Sequence, residues 1–170
     1  QDITDNFPNI PRRVSGYNLD ELLHKDKINL AKLITGSEGT LGIATEIRLR
    51  ISKSPPFTAL CALHFTDIVT SLNLVPQLLE FAPYALEVVD GEVIKMGSVS
   101  PSMKGCLKWL SGEPDGLLVI EFDASSEKDL EKKLSQFESW ANKQNIGYSR
   151  PYLRTKEEQG HVWGLRKAGL

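Results

Sequence analysis

The chain has 170 residues, 41% of them hydrophobic and 25% charged, a balance that supports one or two packed units and excludes a disordered or fibrous polypeptide. Its 20 Lys and Arg nearly cancel its 22 Asp and Glu, leaving a formal net charge of −2, so the chain as a whole offers no long-range attraction to nucleic acid or an anionic membrane. No apolar run reaches the roughly 20 residues of a membrane-spanning helix, and no basic-then-apolar leader opens the chain.

Two cysteines, Cys61 and Cys106, sit among apolar residues without C-x-x-C spacing or clustered histidines. No metal site is expected from them, and both read as buried thiols in a reducing cytoplasm. The sequence opens on Gln1 rather than Met and stops at Leu170 inside a helical pattern, so it reads as an internal stretch of a longer protein.

Residues 1 to 23 are rich in Pro, Asn and Arg, with little periodicity until Tyr17, Leu19, Leu22 and Leu23, which predict one short helical turn opened by Asn18 or Asp20. From Asn29 to Ile51 come an apolar Leu33-Ile34, the glycines Gly36, Gly39 and Gly42, and the alternation Ile43, Thr45, Ile47, Leu49, Ile51. That alternation predicts a half-buried strand. Ser54-Pro55-Pro56 stops it, because proline removes a backbone donor and biases its predecessor toward extended geometry; a domain boundary is expected there.

Beyond the prolines, Thr58 to Phe65 predicts an apolar strand, and Thr66 or Asp67 caps a helix carrying Val69, Leu72, Val75, Leu78 and Leu79, kinked at Pro76. Tyr84 to Glu87 reads as a second strand and Val89 to Met96 as a helical stretch. Glu87 and Asp90 stand where the two meet; Asp90 is read as an N-cap rather than as half of a catalytic carboxylate pair. Pro101 to Leu110 reads as a further short helix, and Gly116 to Phe122 is the clearest strand.

Ser126 then caps an amphipathic helix with Leu130, Leu134, Phe137 and Ala141 on one face, a solvated Lys and Glu face from Glu127 to Lys143 supported by i,i+4 pairs, and Gly147 as its stop. Tyr148 to Leu153 gives a last strand, and Thr155 with Glu158 forms a capping box for a final helix through Trp163 and Arg166. The order β-α-β, helices, β-α-β predicts an α+β fold: a ferredoxin-like split βαβ sandwich with extra helices inserted at its middle. Trp109 and Trp140 are expected to fill its core.

Three glycines at intervals of three, just before a predicted strand, let backbone N–H groups approach a ligand with no Cβ in the way, which suits diphosphate or ribityl contacts. They precede a strand instead of following one and opening a helix, which argues against a Rossmann site. A plain Gly-rich turn between two strands satisfies the same spacing. His24, His64 and His161 are too scattered for a ligand set and read as structural or solvated. Arg12 and Arg13 read as a solvent-facing pair, with contact to a phosphate or acidic substrate in an intact enzyme as the alternative.

Gly16-Tyr17-Asn18-Leu19-Asp20, then Gly36-Ser37-Glu38-Gly39-Thr40-Leu41-Gly42-Ile43 and a Thr-Glu-x-x-Leu-Arg segment, closely resemble the PCMH-type flavoproteins of the vanillyl-alcohol-oxidase superfamily. Within it the chain is most similar to the FAD-linked oxidases acting on D-lactate, glycolate or D-2-hydroxyglutarate. Arg12 to Asp20 resembles the long members that fuse this flavin module to a C-terminal iron–sulfur region. The resemblance implies that residues 1–55 are the C-terminal part of an FAD-binding domain and residues 56–170 the N-terminal part of the cap, or substrate, domain. It implies that the backbone of Glu38, Gly39, Thr40, Leu41, Gly42, Ile43 and Ala44 lies against FAD, with Ala44 where Ile or Val is more usual.

The same resemblance implies that Arg166, in Trp163-Gly164-Leu165-Arg166, holds the substrate carboxylate, with Leu170 where relatives often carry an assisting Thr. As a simple basic residue in a helix's last turn it would be favoured by the macrodipole alone. The pyrophosphate loop and the flavin-side His motif of the family are expected upstream and downstream, so no catalytic residue is assigned within the chain. This stretch by itself is expected to be inactive and without bound FAD. The implied reaction is oxidation of a small 2-hydroxy acid by hydride transfer to flavin, with electrons leaving to a quinone or a 4Fe–4S centre. An alcohol or sugar-lactone oxidase of the same superfamily and a non-catalytic ligand-binding or interaction domain are the competing readings.

Overall fold

The computed structural model describes residues 2–7, 10, 16–24 and 27–168; Arg12, Arg13 and Leu170 lie outside them. The chain divides into two compact units, Gln1–Ser52 and Lys53–Leu170.

The first unit contains α1 (Asp2–Asn6), a 3-10 turn (Leu19–Glu21), the short antiparallel pair β1 (Leu23–His24) and β2 (Lys27–Ile28), and α2 (Leu30–Ile34). The helical turn expected after Asn18 is present as that 3-10 turn, but the Asn18 side chain does not cap it. Asn29 does cap α2, its Oδ1 accepting the Lys32 N–H at 3.2 Å. The strand expected over Ile43 to Ile51 is not formed. Ile43, Ile47, Leu49 and Ile51 are 91%, 69%, 76% and 90% exposed. Alternation becomes a strand only where a ladder partner and an apolar face meet it, and among the described residues no strand pairs with this segment.

In the second unit the elements run β3 (Phe57–Phe65), α3 (Ile68–Asn73), α4 (Val75–Leu79), β4 (Ala85–Asp90), α5 (Gly91–Val99), a 3-10 turn (Pro101–Met103), β5 (Gly116–Ala124), α6 (Glu127–Lys143), β6 (Tyr152–Leu153) and α7 (Lys156–Ala168). The four strands form one antiparallel sheet in the order β4-β5-β3-β6. That is second-third-first-fourth along the unit, the split βαβ topology expected. β3 and β5 pair without a break from Phe57 opposite Ala124 to Phe65 opposite Gly116.

Both central strands are continuous apolar runs because both sheet faces are covered. Ala59, Cys61, Leu63, Leu118, Ile120 and Phe122 face Leu78 of α4 and Leu130, Leu134, Phe137 and Ala141 of α6. Leu60, Ala62, Leu117 and Val119 face Ile94 of α5, Met103, and Val162 and Leu165 of α7. The inserted helices and the last helix therefore supply a third layer. Trp140 borders the first core and Trp109 the second, each partly buried.

Local signals act where expected at several ends. Asp67 accepts from the N–H groups of Val69 and Thr70, Ser126 Oγ accepts from Asp129 N at 3.1 Å, and Thr155 and Glu158 exchange the reciprocal bonds of a capping box. Several details differ from the sequence reading. Pro76 does not kink one helix but sits at the start of a second, where its missing N–H is tolerated. Val69, Leu72 and Leu79 are exposed, since the broken helix turns Leu74, Val75, Leu78 and Phe81 to the core instead. Only Pro101–Met103 of the expected helix to Leu110 is helical. Cys106 is half-buried, whereas Cys61 is fully buried and burial pushes its thiol up to about 12.

Another is the end of α6. Asn145 takes the left-handed conformation (φ 52°), with Ile146 N bonded to Ala141 O at 3.0 Å and Asn145 N to Asn142 O at 3.2 Å, a Schellman closure that does not use Gly147. Gly147 (φ 64°) is required for another reason: a Cβ there would lie 3.0 Å from the carbonyl oxygen of His64. The charged face of α6 is also not simply solvated. Glu131 pairs with Arg154, Glu138 accepts from the Tyr152 hydroxyl, and Lys133 donates to the Asp123 carbonyl at 2.7 Å, ties that join α6 to the sheet. Pro151 has no N–H to extend the ladder, and β6 is confined to two residues with a single bridge at Ser149 opposite His64.

His64 is wholly buried on β3. The Ser111 N–H donates to its Nε2 at 3.2 Å, so its proton resides on Nδ1 and is donated to the Ala62 carbonyl at 2.9 Å. Trp109 and Tyr148 meet its ring edge-on, with centroids 6.0 and 5.7 Å away. Burial holds its pKa below the ordinary 6.5. A depressed histidine pKa makes the native state bind fewer protons than the unfolded state, so its contribution is complete above the unfolded value and is lost as pH falls from there toward the folded one. The urea midpoint is expected to drop between pH 7.5 and 5.5, and His64→Gln to flatten that drop; parallel profiles would assign the loss to other groups.

Candidate functional site

The Gly-rich segment of the first unit is a built loop. Thr35 ends α2, its N–H and Oγ1 both bonded to the Ala31 carbonyl, and Ser37 N bonds Ile34 O at 3.0 Å. A tight turn follows, with Thr40 N donating to Ser37 O at 2.9 Å and positive φ at both central residues, Glu38 (51°) and Gly39 (78°). That is the pattern of a type I′ turn, which favours Gly, Asn or Asp over Glu at its first central position.

The two segments that carry the family resemblance come together here. Asn18 Nδ2 donates to the Thr35 carbonyl at 2.9 Å, and a Cβ on Gly36 (φ 84°) would lie 3.4 Å from the Gly16 carbonyl. Thr40 Oγ1 spends its proton on Ser37 O at 2.6 Å, so the Tyr17 hydroxyl is the donor in its 2.8 Å bond to Thr40 Oγ1. Sequence reasoning treated Gly16-Tyr17-Asn18 as a marker; in the structure it is the brace of the loop.

The loop fits a cofactor contacted through the backbone. Residues 38 to 44 are exposed, and nothing lies within 4 Å of a Cβ built on Gly39 or Gly42. Among the described residues, the N–H groups of Leu41, Gly42, Ile43 and Ala44 make no backbone hydrogen bond. A main-chain contact at Ala44 would not depend on the size of its side chain.

The predicted anchor, Arg166, lies in the second unit. Its helix is seated by the capping box at Thr155 and Glu158, and the donors of Thr155 and Arg154 hold the Glu158 carboxyl below its usual range. Gln159 Nε2 donates to the Thr58 carbonyl at 3.0 Å and its Oε1 accepts from Thr58 Oγ1, tying α7 to β3. Farther along, a Cβ on Gly97 of α5 would lie 2.2 Å from Leu165 Cδ1, so a larger residue there would require the Leu165 side chain to move.

One residue beyond that contact, Arg166 Nε donates to Glu87 Oε2 on β4 at 3.2 Å, both side chains being 38% exposed. Among the described residues its terminal nitrogens make no hydrogen bond. Glu87, considered from sequence only as a partner of Asp90, pairs instead with Arg166. Asp90 is the N-cap of α5, accepting the Val93 N–H at 2.9 Å. No group of three His, Cys, Asp or Glu that could hold a metal occurs among the described residues, and no described helix is long and apolar enough to cross a membrane.

A split βαβ sandwich covered on both faces, with a half-exposed guanidinium held at its rim, is an α+β cap domain in architecture. The chain belongs to the FAD-linked oxidases, whose C-terminal domain its residues 54–170 match. It is 28% identical over 139 residues to a D-2-hydroxyglutarate dehydrogenase of Escherichia coli (strain K12), covering 78% of this chain and 14% of that protein. To a D-2-hydroxyglutarate dehydrogenase of Pseudomonas putida it is 24% identical over 140 residues, 79% of this chain and again 14% of the relative. To a D-lactate dehydrogenase of Anaerostipes hadrus it is 32% identical over 111 residues, 64% of this chain and 23% of the relative. The chain thus spans 14% of the length of the D-2-hydroxyglutarate relatives.

Gly97→Ala tests the seat of α7. Alanine improves helix propensity by about 1 kcal/mol, but Leu165 is fully buried and must leave its rotamer, an overpacking cost of about 1–3 kcal/mol. The two nearly offset at the low end and leave a net loss of up to about 2 kcal/mol, so the expected result is a Tm lowered by up to about 8 °C; a raised Tm would show that Leu165 has room to move.

Proposed function

We propose that this chain is part of an FAD-dependent dehydrogenase of small 2-hydroxy acids, in which Glu38, Gly39, Thr40, Leu41, Gly42, Ile43 and Ala44 lay their backbone against FAD and Arg166 anchors the substrate carboxylate. The observation that carries it is the free terminal edge of the Arg166 guanidinium in a chain related to enzymes named for D-2-hydroxyglutarate and D-lactate. Both of those compounds present a carboxylate beside the carbon to be oxidised. Residues 1–55 are assigned to the C-terminal part of the FAD-binding domain and 56–170 to the N-terminal part of the cap.

FAD, when bound, supplies the redox chemistry by accepting a hydride from the α-carbon. The chain's own contribution is orientation. A planar guanidinium offers two parallel N–H donors to one carboxylate, which sets direction as well as distance, where a lysine would supply only a point charge. The loop contributes unpaired N–H groups for the oxygens and heteroatoms of the cofactor. Its turn is held on one side by Tyr17 and Asn18, so these donors need little reordering when the cofactor arrives. We place the protein in the cytoplasm, where two free thiols persist, and its electrons pass to a quinone or to a 4Fe–4S region of the longer chain.

Arg166→Lys in the full-length enzyme is expected to lower kcat/KM for D-lactate or D-2-hydroxyglutarate by about 2–4 kcal/mol of transition-state binding, with flavin content unchanged. Unaltered turnover would reduce Arg166 to a helix-end charge. An alcohol or sugar-lactone oxidase has no carboxylate for Arg166 to hold, so activity confined to carboxylate-free alcohols or lactones would favour that reading. A single loop strip cannot enclose a flavin, since such ligands have most of their surface buried. The 170-residue chain expressed alone is therefore expected to leave a desalting column colourless; a stoichiometric yellow complex would mean that its residues form most of the pocket.

A further inference from the structure

We infer that Glu87 is a positioning residue for Arg166, holding the guanidinium by its Nε so that the terminal edge stands free and correctly turned for a substrate carboxylate. The inference rests on the reading of Arg166 as the anchor. A guanidinium can receive a carboxylate along its side edge, through Nε and one terminal nitrogen, or along its end, through both terminal nitrogens. Glu87 Oε2 occupies Nε at 3.2 Å. The side edge is thereby taken, and the end is left for a second carboxylate.

Both members of the pair stand on fixed elements. Glu87 lies in the β4 ladder opposite Val119 of β5, between β4's start at Ala85 and the buried Val89. Arg166 follows the fully buried Leu165, locked against Gly97. A pair joining two rigid elements restricts a long flexible side chain to one fan of rotamers. Stability does not account for it, because ion pairs this exposed contribute little to folding. Charge does not account for it either: a carboxylate beside the anchor lowers its attraction for an anionic substrate. A group that weakens the field while fixing the direction favours turnover of the oriented substrate over tight binding of any anion.

The test uses the full-length flavin-loaded enzyme with D-lactate and D-2-hydroxyglutarate. Glu87→Ala is expected to lower kcat at least tenfold, with flavin content and Tm near those of the unmodified enzyme. Glu87→Gln keeps the acceptor oxygen and removes the charge, and is expected to restore most of kcat while lowering KM. Glu87→Asp keeps the charge but draws the oxygen back by one carbon, and is expected to resemble Ala; it serves in place of Ala if that variant does not fold. In the Arg166→Lys background, Glu87→Ala is expected to add no further loss, because the group it orients is gone.

If Arg166→Lys is impaired while Glu87→Ala and Glu87→Asp keep normal kcat and KM, the positioning role is overturned and the anchor stands. Full activity in Arg166→Lys overturns the anchor and the positioning role together, and additive losses in the double variant show that Glu87 acts independently of Arg166.

Discussion

The nine-residue pairing of β3 with β5 is the constraint from which the second unit follows. Each strand is apolar on both of its faces, and a sheet with two apolar faces exposes one of them to water unless two layers cover it. α4 and α6 close one side; α5, the turn at Met103 and α7 close the other. The segment inserted between the second and third strands is therefore a requirement of the central pair. So is the docking of α7, whose Val162 and Leu165 are buried on the second face. Arg166 owes its place at the rim to that hydrophobic contact, one residue before it in the chain.

The first unit rests on different physics. Its apolar alternation from Ile43 to Ile51 is almost wholly exposed, so burial contributes little there. The loop takes its shape from a few short-range hydrogen bonds: Thr40 to Ser37, Tyr17 to Thr40 and Asn18 to Thr35. Each such bond contributes on the order of 1 kcal/mol or less at an exposed position. They suffice to turn the backbone, and among the described residues the N–H groups of Leu41 to Ala44 beyond it make no backbone hydrogen bond. A positive φ at Glu38 adds a local cost that glycine would avoid.

Polar groups in the second unit lie mostly at its periphery, where they join elements that the apolar core has already brought close. Glu131 with Arg154 and Glu138 with Tyr152 bridge α6 to the last strand. Gln159 ties α7 to β3. His64 lies inside the core, a neutral ring whose two nitrogens are both satisfied by backbone groups. That arrangement makes a buried histidine tolerable and fixes its tautomer without a metal or a charged partner.

Sequence alone determined what depends on neighbours three or four residues apart. The caps at Asp67, Asp90, Ser126 and Thr155 with Glu158 are local exchanges between a side chain and a nearby N–H, and the amphipathic face of α6 is a matter of periodicity; all were legible. The order of strands and helices, and from it the split βαβ topology, was legible for the same reason. The Gly-rich loop could be found, but not its brace, because Tyr17 and Thr40 are 23 residues apart. Tertiary structure alone decided that Ile43 to Ile51 is not a strand, since a strand is a relation between segments and its alternation names no partner. It also decided that Asn145 rather than Gly147 ends α6, that Gly97 is the seat of α7, and that Glu87 meets Arg166 across 79 residues of chain. Such contacts follow from how two covered faces stack on one sheet, and no local pattern encodes that distance.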